Sequence, residues 1–180
     1  MIGQADIGSI PARDDNGLLQ AFIECPSGSR HKVDLDKKLG VMRWALELPA
    51  GVTFPANFGF VPSTLADDGD ALDVIVLAGG PLPSGSIVAV RPVAVLAMSQ
   101  TENGEMVRND RIVCVPPLCR SYGEMQDLGD LRTGLMWELG DFFRSYNHMI
   151  DRDIEVHDAE DREAAEQAVE KAITAYEHAQ

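Results

Sequence analysis

The chain has no run approaching the roughly 18 consecutive apolar residues that a membrane-spanning helix requires. Its first residues, MIGQADIGSIPARDD, lack the basic-then-apolar order of a secretory leader. A cytoplasmic protein without membrane contact is therefore expected. Cysteine is scarce: Cys25, Cys114 and Cys119 form an odd set without CxxC spacing, which argues against a disulfide framework or a thiolate zinc site. They read as small core or loop residues, and the four histidines are isolated, without ligand spacing. Basic residues are also few. With 15 Lys and Arg against 29 Asp and Glu, the net charge is −14, which repels a nucleic-acid backbone or an anionic membrane. Part of the acidic excess lies in residues 151–180 and reads as a solvated face. No internal repeat is visible, which excludes a solenoid.

What remains is an ordinary globular composition, 45% hydrophobic and 24% charged over 180 residues, long enough for one domain with a single core. Residues 1–20 lack periodicity and carry an Asp15-Asn16-Gly17 turn signal, so they read as an extension lying across the domain 1–180. From Phe22 to Val115 short apolar runs, Leu72–Leu77, Ile87–Val90, Val93–Leu96 and Ile112–Val115, are broken by Gly and Pro. Many short strands with close turns predict a barrel or sandwich, with a tight hairpin at Asn103-Gly104. The period then changes. Leu128, Leu131, Leu135, Leu139, Phe142 and Tyr146 form one helical stripe, and Ala165, Val169, Ile173 and Tyr176 a second, over 158–178 with Asp158 as N-cap. The expected class is α+β, a β-barrel-like body followed by two helices.

The most informative stretch is Asp67-Asp68-Gly69-Asp70-Ala71-Leu72-Asp73, which enters the apolar run Val74–Leu77. Four carboxylates so close together repel one another unless solvent or a cation compensates them. Oxygen donors without nearby Cys or His suit a hard divalent cation, Mg²⁺ or Mn²⁺. A solvated turn before a strand accounts for the same composition equally well. An EF-hand does not, because counting from Asp68 its sixth and twelfth positions hold Asp73 and Gly79.

Asp68-Gly69-Asp70-Ala71-Leu72-Asp73-Val74 resembles the D-x-D-x-x-D signature of the soluble, family I inorganic pyrophosphatases. The likeness continues in order through Phe22–Pro26, Phe54–Phe60, Gly85–Leu96, Ile112–Pro116 and Phe142–Tyr146, and so covers about residues 22–147. The resemblance implies an OB-like small β-barrel with two main α-helices and Mg²⁺-dependent hydrolysis of pyrophosphate, with Mn²⁺ as an alternative ion. It assigns Asp68 and Asp73 to metal, Asp70 to metal and to accepting the proton of the attacking water, and Glu24 to an outer metal ligand. Lys32, Arg111 and Tyr146 take phosphate contacts. It also implies a homo-oligomer, a hexamer among bacterial relatives.

Several matching positions depart from the family. Ala71 replaces a Pro or Glu inside the signature. Leu46 stands where the family has a phosphate-binding Arg, Phe54 and Phe58 where it has tyrosines, Asn147 where it has a Lys, and Asp34 where it has a Glu. In the hairpin between Met98 and Ile112, about two residues longer than usual, Gln100, Asn109 and Arg111 stand for two metal-binding aspartates and a lysine. Glu102 or Asp110 could replace a lost carboxylate if the hairpin register shifts, whereas Arg43 lies at an odd strand offset from Leu46 and points away. Two readings follow: an inefficient Mg²⁺-dependent pyrophosphatase, or a non-catalytic relative that binds a phosphate ligand or serves as an assembly subunit.

Overall fold

The computed structural model describes residues 7–102 and 104–179. Its strands are β1 (Leu19–Cys25), β2 (His31–Asp36), β3 (Val41–Glu47), β4 (Asn57–Phe60), β5 (Asp73–Val76), β6 (Ile87–Leu96), β7 (Met98–Glu102), β8 (Glu105–Arg108), β9 (Arg111–Val115) and β10 (Ile154–Val156). Its helices are α1 (Leu135–His148) and α2 (Arg162–His178). Five strands close a barrel in the order β1-β4-β5-β9-β6, with β6 returning to pair with β1. Only the β5–β9 pair is parallel. This is the OB-like α+β architecture, and closure removes the sheet edges that an open array of these apolar strands would expose.

Strand alternation divides the core between the two helices, since successive side chains leave a strand on opposite faces. Ile75 and Val113 join a cluster with Leu135, Leu139 and Phe143 of α1. Val74, Val76, Ile112 and Cys114 join a second with Ala165, Val169 and Ala172 of α2. Gly59 lies where β4 crosses β1 so closely that a Cβ would meet the Phe22 carbonyl oxygen at 1.9 Å. Arg13 ties the N-terminal segment to α2 through Glu166 and Glu170, each at 2.7 Å.

Three local expectations change. The runs 87–90 and 93–96 are one strand, and Pro92 is accommodated by a register shift between Pro92 and Ala94 against β9, a place where a missing N–H costs little. The stripe beginning at Leu128 does not start a long helix. A short 3-10 turn, Leu128–Asp130, comes first, and α1 begins only after Gly134 at φ 86°. The second helix is capped by Asp161, whose carboxylate accepts the Ala164 N–H, and not by Asp158. The reason is the bridge between Val95 and Glu160, which holds the chain extended through Glu160. The β7–β8 hairpin pairs Glu102 with Glu105 and has Gly104 at φ 85°; Asn103 and the Glu102 side chain lie outside the described residues. Among the described residues no helix is long and apolar enough to cross a membrane.

Candidate active site

The parallel register of β5 and β9 aligns Val74 with Ile112, which places the preceding residues, Asp73 and Arg111, side by side at the strand entrances. Arg111 Nη2 lies 3.3 Å from Asp73 Oδ2. Its Nη1 donates to Asn109 Oδ1 at 2.8 Å and to the Asn109 carbonyl, and the guanidinium sits 5.1 Å from the centre of the Phe143 ring. Arg111 is thus 8% exposed, and among the described residues its Nε has no hydrogen-bond partner.

Around this pair opens a cleft of about 410 Å³. The Asp-rich turn supplies Asp68 and Asp70 to its rim, with Gly69 in the left-handed conformation at φ 86° and the Asp70 N–H donating to Asp68 Oδ1. From β1 comes Glu24, whose Oε1 accepts the Leu35 N–H at 2.8 Å. Lys32 and Asp34, two apart on β2 and so on one face, pair at 2.7 Å. Phe143, Tyr146 and Asn147 line the cleft from α1 at helical spacing. All seven residues assigned by sequence to metal, catalysis or phosphate (Glu24, Lys32, Asp68, Asp70, Asp73, Arg111 and Tyr146) line this one cavity.

The altered positions shape the same space. Gln100 and Asn109 line it as buried amides, 4% and 6% exposed. Asn147 gives its amide to the Phe143 carbonyl at 2.9 Å. Phe54 and Phe58 join Phe142, Phe143 and Tyr146 in one aromatic wall, with Phe142 and Tyr146 stacked at 6.1 Å. Leu46 is not part of the cleft lining and packs, partly buried, against the core cluster. Asp110 accepts from the Met98 N–H and pairs with Arg108 at 2.6 Å, outside the cleft. Arg43 likewise points away, to Asp36 at 2.9 Å.

Burial dominates the electrostatics. It pushes Asp73 up to about 6, opposed by Arg111 and reinforced by Asp68. It pushes Glu24 up to about 7, opposed by the Leu35 N–H and reinforced by Asp34. For Lys32 burial works to lower the pKa, but the Asp34 hydrogen bond and the surrounding negative charge leave it raised. The cleft's carboxylates, Glu24, Asp34, Asp68, Asp70 and Asp73, outnumber its cations, Lys32, Lys37, Arg111 and Arg152, by one. Their oxygens are the hard donors a divalent cation prefers, and desolvated acids gain most from such an ion. Among the described residues, however, no three His, Cys, Asp or Glu side chains form a ready-made metal cage. A neighbouring groove of about 470 Å³ contains no acidic residue.

The chain is similar to known proteins over nearly its whole length. The sequence profile of the inorganic pyrophosphatase family matches residues 21–177. The chain belongs to the inorganic pyrophosphatase family. It is 33% identical to an inorganic pyrophosphatase of Synechocystis over 95% of this chain and 99% of that protein. The crystal structure of the inorganic pyrophosphatase of Thermus thermophilus superposes with a TM-score of 0.88 at 33% identity, covering 96% and 99% of the two chains. That of Helicobacter pylori gives 0.85 at 30% identity, covering 94% and 99%. Within this pyrophosphatase fold, sequence reasoning missed Lys37 and Arg152 as cleft residues. Lys37 lies just past the end of β2 at an odd offset from Lys32, so strand alternation assigns it to the other face and no sequence pattern puts it in the cleft; Arg152 follows Asp151, which adopts φ 54° just after α1.

Proposed function

We propose that the protein is a Mg²⁺-dependent hydrolase of inorganic pyrophosphate. The observation that carries the reading is the convergence of Asp68, Asp70, Asp73 and Glu24 with Lys32, Arg111 and Tyr146 in one cleft. Asp68, Asp70, Asp73 and Glu24 would hold divalent metal, Mg²⁺ or Mn²⁺. Metal bound there neutralises phosphate charge and lowers the pKa of a coordinated water. Asp70, exposed at the rim, accepts the proton of the attacking water. Lys32 and Tyr146 hold one end of the diphosphate. Arg111 stabilises charge from the inner end, and its ties to Asn109 and Asp73 keep it preorganised for this. The aromatic wall formed by Phe54, Phe58 and Phe143 keeps water away from that side, which strengthens every charge interaction inside.

Turnover in this reading is slowed at four places. Leu46, Phe54 and Phe58 supply no polar contact to phosphate, and Asn147 spends its amide on its own helix. Self-association, implied by the family resemblance, belongs to the same proposal, and sedimentation at micromolar concentration reads it. The direct test of function is release of phosphate from pyrophosphate in the presence of Mg²⁺ or Mn²⁺, compared with Asp70→Asn. Metal-dependent release that the substitution abolishes supports the reading; none from the folded parent with either metal opposes it.

A further inference from the structure

The groove of about 470 Å³ beside the cleft takes no part in the hydrolysis proposed above. Residues from the turn after β2, the turn after β4 and the last turns of α2 meet there. Leu35, Phe60 and Pro62 give it an apolar body, and its size is that of sites that hold small molecules. Its hydroxyls are already engaged. Ser63 Oγ donates to the Ile10 carbonyl at 2.8 Å, Thr64 Oγ1 donates to the Val61 carbonyl and accepts the Leu72 N–H, and Tyr176 donates to the Gly8 carbonyl. Its two ammonium groups are not. Of the chain's four lysines, Lys32 and Lys171 pair with Asp34 and Asp67, whereas Lys37 and Lys38 make no ion pair among the described residues. Asp36, the acid next to them in sequence, turns its carboxylate to the Lys38 and Leu39 N–H groups and to Arg43. Two uncompensated cations at a groove with no acid among its described residues, in a chain of net charge −14, attract an anion.

We propose that this groove binds an organic phosphate monoester with an apolar substituent, the phosphate held by Lys37 and Lys38 and the substituent lying on Leu35, Phe60 and Pro62. A dianion matches two ammonium groups. A hydroxyl-rich substituent such as a sugar fits poorly, because it would be buried against groups whose hydrogen bonds are already made. The groove shares Leu35, Lys37, Phe60 and Ala71 with the cleft. An occupant therefore draws Lys37 to the groove side and removes one cation from the side that receives the diphosphate, so that it acts as an inhibitor that raises KM. The inhibition rests on the pyrophosphatase reading, but the binding does not.

The test is calorimetric titration of phenyl phosphate into the full chain in chelator, where the cleft keeps its excess of negative charge and the groove remains positive. Phenyl phosphate should bind roughly tenfold or more tightly than inorganic phosphate or glycerol 3-phosphate, which lack the apolar body. Lys38→Gln, an exposed change in the groove alone, should weaken it roughly tenfold, as loss of one of two charge-assisted contacts predicts. Lys32→Gln, in the cleft alone, should leave it unchanged. With Mg²⁺ present, phenyl phosphate should raise the KM of the parent for pyrophosphate and have little effect on that of Lys38→Gln. No binding at millimolar concentration, an isotherm indifferent to Lys38→Gln, or one abolished by Lys32→Gln, which would place the ligand in the cleft, overturns the proposal. Equal affinity for inorganic phosphate overturns it as well, leaving an adventitious ion only. Binding that Lys38→Gln weakens, without any change in KM, overturns the inhibition. A parent that binds phenyl phosphate in this way yet never hydrolyses pyrophosphate would refute the function while leaving the site standing.

Discussion

Restoring negative charge to the inner end of the cleft should accelerate hydrolysis, and the variant Gln100→Asp with Asn109→Asp is the most informative perturbation. The two amides are buried and line the same cleft as Asp68, Asp70 and Asp73, but they differ in what a carboxylate would meet. At 109 it would replace an oxygen already receiving Arg111 Nη1 at 2.8 Å, so the new charge would be taken up by the guanidinium, loosening its 3.3 Å pair with Asp73. At 100 it would add a buried charge to the cleft lining, which favours a cation there. Neither single change should help much: the first spends its charge on Arg111 and the second leaves Asp73 engaged. Together they free Asp73 and add a ligand. A preorganised electrostatic group is worth on the order of 10²–10³ in rate, and groups acting as a unit are not additive. The double variant should therefore exceed both singles and Leu46→Arg, which adds a phosphate contact without metal-binding charge. The assay is phosphate release against Mg²⁺ concentration, with thermal melting in chelator and in Mg²⁺. In chelator the double variant should melt lower than the parent, because burying carboxylates without a partner is costly; in Mg²⁺ the difference should close. A folded double variant with unchanged metal response and no gain in rate refutes the placement of these residues at the metal.

Three further outcomes follow from the same structure. Millimolar Mg²⁺ or Mn²⁺ should raise the melting temperature, by about 2.7 kcal/mol of stability at a hundred times Kd, and Asp73→Ala should abolish most of that rise; an equal rise in the variant counts against Asp73 as a ligand. Burial raises the folded-state pKa of Asp73 to about 6 and of Glu24 to about 7, so the native state retains protons that the unfolded chain has released. Metal-free stability should accordingly fall as pH rises from about 4 to 7, metal affinity should rise over the upper part of that window, and Glu24→Gln should flatten the segment nearest 7; a metal-free stability that climbs through this range contradicts the assignment. Gly59→Ala should destabilise the barrel by on the order of 3 kcal/mol, read by urea unfolding, since its Cβ would strike the Phe22 carbonyl of the neighbouring strand; a change under about 0.5 kcal/mol would mean that β1 and β4 are not so closely apposed.

The sequence made the barrel legible because its strands are short, apolar and separated by Gly and Pro, and because Asp68, Asp70 and Asp73 sit at the entrance of one of them. Failures occurred where tertiary contacts override local signals. Pro92 reads as a breaker, yet a bulge against β9 carries β6 past it. Asp158 has the chemistry of an N-cap, but the Val95–Glu160 bridge delays the helix to Asp161. Asp110 could serve as a ligand only with a shifted hairpin register, and Arg108 and the Met98 N–H hold it outside the cleft. The pairing of Arg111 with Asp73 depends on a parallel register between strands far apart in sequence, which no local pattern encodes.

The deciding measurement is hydrolysis of pyrophosphate by the full chain, followed as phosphate release with Mg²⁺, with Mn²⁺ and with chelator, beside Asp70→Asn. The prediction is slow, metal-dependent release, absent in chelator and reduced at least roughly a hundredfold by the substitution. Phosphate release no greater than the protein-free blank, from folded protein with metal bound, would contradict it.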